Sequence, residues 1–154
     1  MNFELVTIRV VHILVGVIWA GSAIFLAGFL DPRLRALGPD VHRRVLEALY
    51  LPLRFVLEGG GAITILVGIA LVFRLQRIDD LFDTNWGWAI TIGLVTSVIA
   101  HTTGVLALSS LKKLSGADEA EASRLSDRAT TLARMTAVLV TVAVVTMAAA
   151  RFVG

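Results

Sequence analysis

The chain has 154 residues, 56% of them hydrophobic, with a formal net charge of +2 and no cysteine. Its mean hydropathy of +0.82 goes with long apolar runs, a combination that soluble domains, at about 45–50% apolar residues, do not carry. The lack of cysteine excludes disulfide exchange, thiolate metal sites and iron–sulfur clusters.

Four stretches reach the roughly 20 apolar residues that a spanning helix needs. They are Leu5–Leu30, Leu51–Arg74, Asn85–Leu111 and Ala129–Phe152. None alternates with period two, so barrel strands do not fit and helices do. The expected fold is all-α, an integral membrane four-helix bundle forming a single domain over 1–154. The first stretch reads as a retained span and not as a cleaved leader: its apolar run is long, and Glu4 and Arg9 do not make a basic leader.

The first segment is expected to stop at Asp31-Pro32, because proline ends or kinks a helix. Gly38-Pro39-Asp40 predicts a turn. After it, Val41, Val45, Leu46 and Leu49 share one face of an amphipathic helix over 41–50, capped by Asp40 and expected at the cytoplasmic interface. The second span carries Gly59-Gly60-Gly61 and Gly68, which suit close helix–helix approach better than clearance for a cofactor. The third opens with Trp86 and Trp88, an interfacial anchor. A polar stretch with Ser115 or Asp118 as its cap extends the fourth span on the cytoplasmic side.

Charge sets the orientation. Arg33, Arg35, Arg43, Arg44 and Arg54 flank the first connection, and Lys112, Lys113, Arg124, Arg128 and Arg134 flank the third. Arg9, Arg74, Arg77 and Arg151 are the remaining basic residues, and Asp79, Asp80 and Asp83 make the middle loop acidic. The positive-inside bias then places both termini outside, in a multi-pass protein of the bacterial inner (plasma) membrane. Beside membrane spans these clusters are topology signals, so nucleic acid is not an expected partner. The lipid bilayer is, with a quinone or redox protein and a second copy of the chain as further candidates.

Chemistry is concentrated in two histidines inside apolar segments, because an ionisable group in hydrocarbon is costly and usually marks a site. His12 shares a helix face with Val15, Gly16, Trp19, Ala20 and Ala23, a groove suited to a flat ring. Imidazole is a usual axial ligand of haem iron, so His12 and His101 are the candidate metal ligands of a b-type haem. The structural alternative is that each only bonds a neighbouring helix; for His101, the nearby Ser97, Thr102 and Thr103 would satisfy it locally. Counted from their helix midpoints, the two lie roughly 10 Å apart in depth, which speaks against one haem clamped between them. Met147 is expected near the depth of His12 and offers a His/Met pair. His42, beside Arg43 and Arg44, reads as solvated or facing headgroups. Arg54 and Glu58 are spaced to pair, and Arg134 reaches a similar depth, so the three read as an ion-pair group or, alternatively, a proton path or cofactor-carboxylate anchor. No nucleotide loop, Ser–His–Asp set or HExxH motif is present.

The stretch VVHILVGVIWAGSAIFLAGFLDPRL resembles the first helix of a group of small bacterial membrane proteins that includes HemJ-type protoporphyrinogen oxidases and CopD-like copper-resistance domains. The shared features are a histidine, then Trp19-Ala20-Gly21 seven residues on, then Pro32, Arg33 and Leu34. The span from Trp86 to His101 is similar to the HemJ-type pattern of tryptophan, lysine and distal histidine, but Ile90 stands at the lysine position, which argues against porphyrinogen oxidation. The resemblance implies a four-helix haem b protein with His12 as ligand, used for electron transfer or a haem-linked redox reaction such as quinol oxidation. A small metal or proton transporter and a structural membrane subunit are the alternatives of other classes.

Overall fold

Long runs without polar side chains leave the backbone no partner but itself, and a helix is the local solution. The computed structural model describes residues 3–153, apart from the side chain of Ser115. It contains four long helices, α1 (Phe3–Ala36), α2 (Pro39–Arg74), α3 (Asn85–Lys113) and α4 (Glu119–Phe152). No strand occurs among the described residues. Helices α3 and α4 pair along their length, α1 lies against α2 and α4, and α2 closes the ring on α3.

The core is narrow and built from small side chains. Trp19, Ala20, Ala23, Ala100 and Val140 form it, with Leu57 and Leu139 packed around them. Small residues let backbones approach, which is how helices associate where burial from water is not the driving force. Only 17–28% of the most apolar window of each helix is buried inside the bundle. So much apolar surface facing outward fits a lipid bilayer and no aqueous setting. The chain is a multi-pass membrane protein.

The helices outrun the bilayer. Each has 29–36 residues, or roughly 45–55 Å at 1.5 Å per residue, against a hydrocarbon core of about 30 Å. Much of the excess is at the end bearing the basic connections, called here the basic end. The sequence reading ended α1 at Pro32; instead the helix runs on to Ala36. A wide π-turn over Leu26–Leu30 directly precedes the proline and relieves the crowding of its ring against the preceding turn. Likewise, the stretch 41–50 is not a separate interfacial helix. It is the first part of α2, which passes through Pro52 and a second π-turn at Phe55–Gly59 without a break. Its apolar face, including Leu46, is turned into the bundle.

The turns follow from local chemistry. Gly38 takes φ +102°, a conformation side chains rarely adopt, and Pro39 then starts α2 with its φ already set. Thr84 caps α3 by accepting from the Gly87 amide at 3.0 Å. Asp118 caps α4 by accepting from the Glu121 amide at 2.8 Å, while the Ser115 side chain lies outside the described atoms. At the opposite end Arg77 lies 3.9 Å over the Trp86 ring and pairs with Asp80 at 2.6 Å, so the acidic loop is folded onto the start of α3.

That fold-back depends on Gly87. A Cβ there would stand 1.9 Å from the Asp80 carbonyl oxygen, a backbone atom that cannot swing away. Gly21 has nothing within 4 Å of its Cβ position. Thermal unfolding in detergent should therefore show Gly87→Ala losing about 1–3 kcal/mol, the usual cost of overpacking, and Gly21→Ala losing nothing.

Candidate functional site

The α1–α2 contact is organised by missing side chains on α2. His12 fits over Gly68, where a Cβ would come within 2.8 Å of the ring's Cε1. The vacancy lets His12 Nδ1 reach the Thr64 backbone carbonyl at 2.9 Å. A carbonyl only accepts, so Nδ1 carries the hydrogen and Nε2 keeps the lone pair. Hydrogen bonds between membrane helices stabilise by about 0.6 kcal/mol on average, so this one orients the ring more than it holds the fold. One turn on, Gly16 faces Thr64, whose methyl is 3.2 Å from the Gly16 Cβ position, and the Thr64 hydroxyl donates to the Gly60 carbonyl at 2.7 Å. The face predicted as an open groove for a flat ring is thus covered by α2 at Gly16 and Trp19.

Trp19 and His101 meet at the next level. Both press on Gly61, whose Cβ position lies 2.6 Å from His101 Nδ1 and 2.9 Å from Trp19 Cε2. The two rings stand edge to face, 6.3 Å between centroids at 72°. Trp19 is only 2% exposed. The expected local satisfaction of His101 does not occur. Thr102 donates to the Val98 carbonyl, and Thr103 engages the Ala100 carbonyl and the Thr136 hydroxyl. His101 Nδ1 is left buried with no hydrogen-bond partner, the one such side-chain atom among the described residues. A buried polar atom without a partner costs about 1–3 kcal/mol and calls for an explanation.

The two histidines therefore sit against Gly68 and Gly61, seven residues apart on α2, or about 10 Å along the axis. They are at different levels, in line with the depth count from sequence. Met147 is packed elsewhere: its Cγ and Cε lie 2.7 and 3.0 Å from the Cβ position of Gly93 on α3. Of the charged group, Arg54 and Glu58 pair at 2.9 Å, but Arg134 is exposed and makes no ion pair with them. No set of three or more His, Asp or Glu side chains is placed to hold a metal ion among the described residues.

The sequence reading missed a polar cluster at the basic end. His42 is not solvated; it is 5% exposed, and its Nε2 donates to Asp31 Oδ1 at 2.8 Å. Asp31 also accepts from Arg35 Nε at 3.3 Å and from the Thr130 hydroxyl at 3.3 Å. Arg35 reaches α4 as well, where it meets Thr130, the Ser126 carbonyl and hydroxyl at 2.9 and 3.0 Å, and Asp127 at 3.2 Å. Helices α1, α2 and α4 are tied at one point. The signal in the sequence was the amphipathic phase of 41–50: His42 lies four residues before Leu46, on its buried face.

Comparison with protein families, with curated proteins and with solved structures finds no match. Asp31→Ala would leave the His42 and Arg35 donors without their shared acceptor. Breaking fully buried pairs costs about 3–5 kcal/mol, and here Arg35 keeps some solvent, so unfolding in detergent should register a loss of about 2–3 kcal/mol. Arg54→Ala, at an exposed pair, should leave the unfolding transition essentially unchanged.

Proposed function

We propose that the chain is a membrane-embedded b-type haem protein that serves electron transfer or a haem-linked redox reaction, with His12 as an axial ligand. The observation that carries this reading is the bond from His12 Nδ1 to the Thr64 carbonyl. Metal-ligating histidines almost always donate their other ring N–H to a carbonyl or carboxylate, which fixes the tautomer and makes the ligating nitrogen more basic. His12 has this arrangement inside a membrane span, where an imidazole without a task is costly.

Fit to the group is partial. His12 supplies one suitable nitrogen, and the unpartnered His101 Nδ1 marks a second imidazole not explained by packing. His101 lies about 10 Å from the level of His12, Met147 packs against Gly93 of α3 at a depth close to that of His12, and Gly16 and Trp19 line the same α2-facing side of α1 as His12. Arg134 is exposed and takes no part in the His12–Thr64 contact. Bound haem would supply one-electron chemistry. The protein's part is to hold the His12 tautomer, through Thr64 and the space left by Gly68, and to keep water from the site with the apolar faces of α1 and α2. The likeness of helix 1 to the HemJ and CopD-like group supports the same reading, while Ile90 at the lysine position favours electron transfer over porphyrinogen oxidation. The bacterial inner membrane is the location this reading takes.

The test is an absorption spectrum of the purified protein expressed with ample haem, oxidised and then reduced with dithionite. A Soret band with sharp reduced α and β bands is expected, lost in His12→Ala. Gly68→Ala, which pushes the ring from Thr64 without removing it, should lower haem occupancy severalfold. A colourless wild-type protein would reject the haem reading and leave His12 and His101 as packing groups at two glycine notches.

A further inference from the structure

A second polar surface lies apart from the His12 site. Where α2 and α3 meet at the basic end there is a crevice of about 200 Å³, open on one side. Leu46, Leu111 and Leu114 form its apolar lining, and Glu47, Tyr50 and Lys112 its polar lining. Leu46 and Leu114 are buried, Tyr50 is half-buried, and Glu47 and Lys112 are exposed.

Size and level narrow the occupant. Drug-sized ligands fill roughly 300–1,000 Å³, so this space takes a smaller group whose remainder stays outside. The largely apolar stretches Leu51–Phe73 on α2 and Trp88–Leu111 on α3 each cover roughly 35 Å along the helix axis. A hydrocarbon layer of about 30 Å laid over them ends close to Tyr50 and Lys112, so the crevice falls at the level of lipid heads. Beside it, Leu51 and Phe55 are 71% and 81% exposed and offer an apolar surface to lipid tails.

Charge narrows it further. Glu47 makes no ion pair or hydrogen bond among the described residues, so its carboxylate is open to a donor. Arg54, one turn along from Tyr50, is balanced by Glu58 at 2.9 Å. A head carrying only negative charge would meet Glu47, and one carrying only positive charge would meet Lys112. A head with both a phosphate and an ammonium finds its opposite at each. A primary ammonium donates to a carboxylate, whereas a trimethylammonium has no N–H to give. The Tyr50 hydroxyl is a further donor suited to a phosphate oxygen.

We infer that the crevice holds the head of a phospholipid of the phosphatidylethanolamine type, its ammonium on Glu47, its phosphate on Lys112 and Tyr50, and its acyl chains beside Leu51 and Phe55. The site is independent of haem, and so is its test. The full chain in detergent is titrated with an equimolar mixture of dioleoyl phosphatidylethanolamine, phosphatidylcholine and phosphatidylglycerol, and retained lipid is read by native mass spectrometry. The first lipid retained is expected to be phosphatidylethanolamine, favoured roughly fivefold over either of the others. Glu47→Gln should bring that preference close to one, and Lys112→Gln should lower retention of all three lipids. Arg33→Gln, on α1 and outside the crevice, should leave the preference as it is. Equal retention of the three lipids by the wild-type chain, or a preference that survives Glu47→Gln, would overturn the site. A wild-type preference for phosphatidylglycerol would reject the zwitterionic head, and unchanged retention in Lys112→Gln would reject the phosphate contact.

Discussion

The bundle depends on side chains that α2 does not have. At Gly60, Gly61 and Gly68 the backbone of α2 is bare, and α1 comes down onto it. Two of these vacancies admit rings: His12 at Gly68, and Trp19 and His101 at Gly61. In water such voids would be filled by larger apolar residues to gain burial. In lipid that gain is absent, because the surrounding tails are as apolar as the core, and close approach with a few polar contacts does the holding. The narrow alanine-rich core around Ala100 and Val140 has the same origin.

The basic end obeys a different rule. Here charge rather than close backbone contact ties the helices together. Asp31 accepts from three donors on three different stretches of chain, and Arg35 bridges to α4. Such a cluster stabilises only when every member is satisfied, since an unpaired partner costs more than the pair contributes. On α1 the cluster begins directly after the π-turn of Leu26–Leu30, at Asp31.

The spans were legible because twenty apolar residues in a row have one reading in a membrane protein. Glycines as packing surfaces were legible for the same reason, as was the depth difference between His12 and His101, which needs only residue counting. The ends of helices were not. Proline was expected to stop α1 at Pro32, but a terminator matters only if the chain cannot widen its turn, and Leu26–Leu30 does so. His42 was misread because its arginine neighbours in sequence, Arg43 and Arg44, point to other faces of the same helix; a helix separates adjacent residues by about 100°. Asp31 and Arg35 have the i,i+4 spacing of a helix pair, but their contact with Thr130 joins residues far apart in sequence, and no local pattern announces it.

The π-turns carry a consequence for how this chain tolerates change in length. A π-turn holds one residue more than the α-turn it replaces. Removing one residue from Leu26–Leu30 would restore the ordinary hydrogen-bond ladder and leave the helix on either side in its original rotational phase, so His12 and Trp19 would still face α2 and Asp31 would still face His42. The same deletion three turns earlier, in regular helix, would rotate everything beyond it by about 100° and separate the two ends of the molecule in register. The wide turns are thus the places in α1 and α2 where length and orientation are uncoupled.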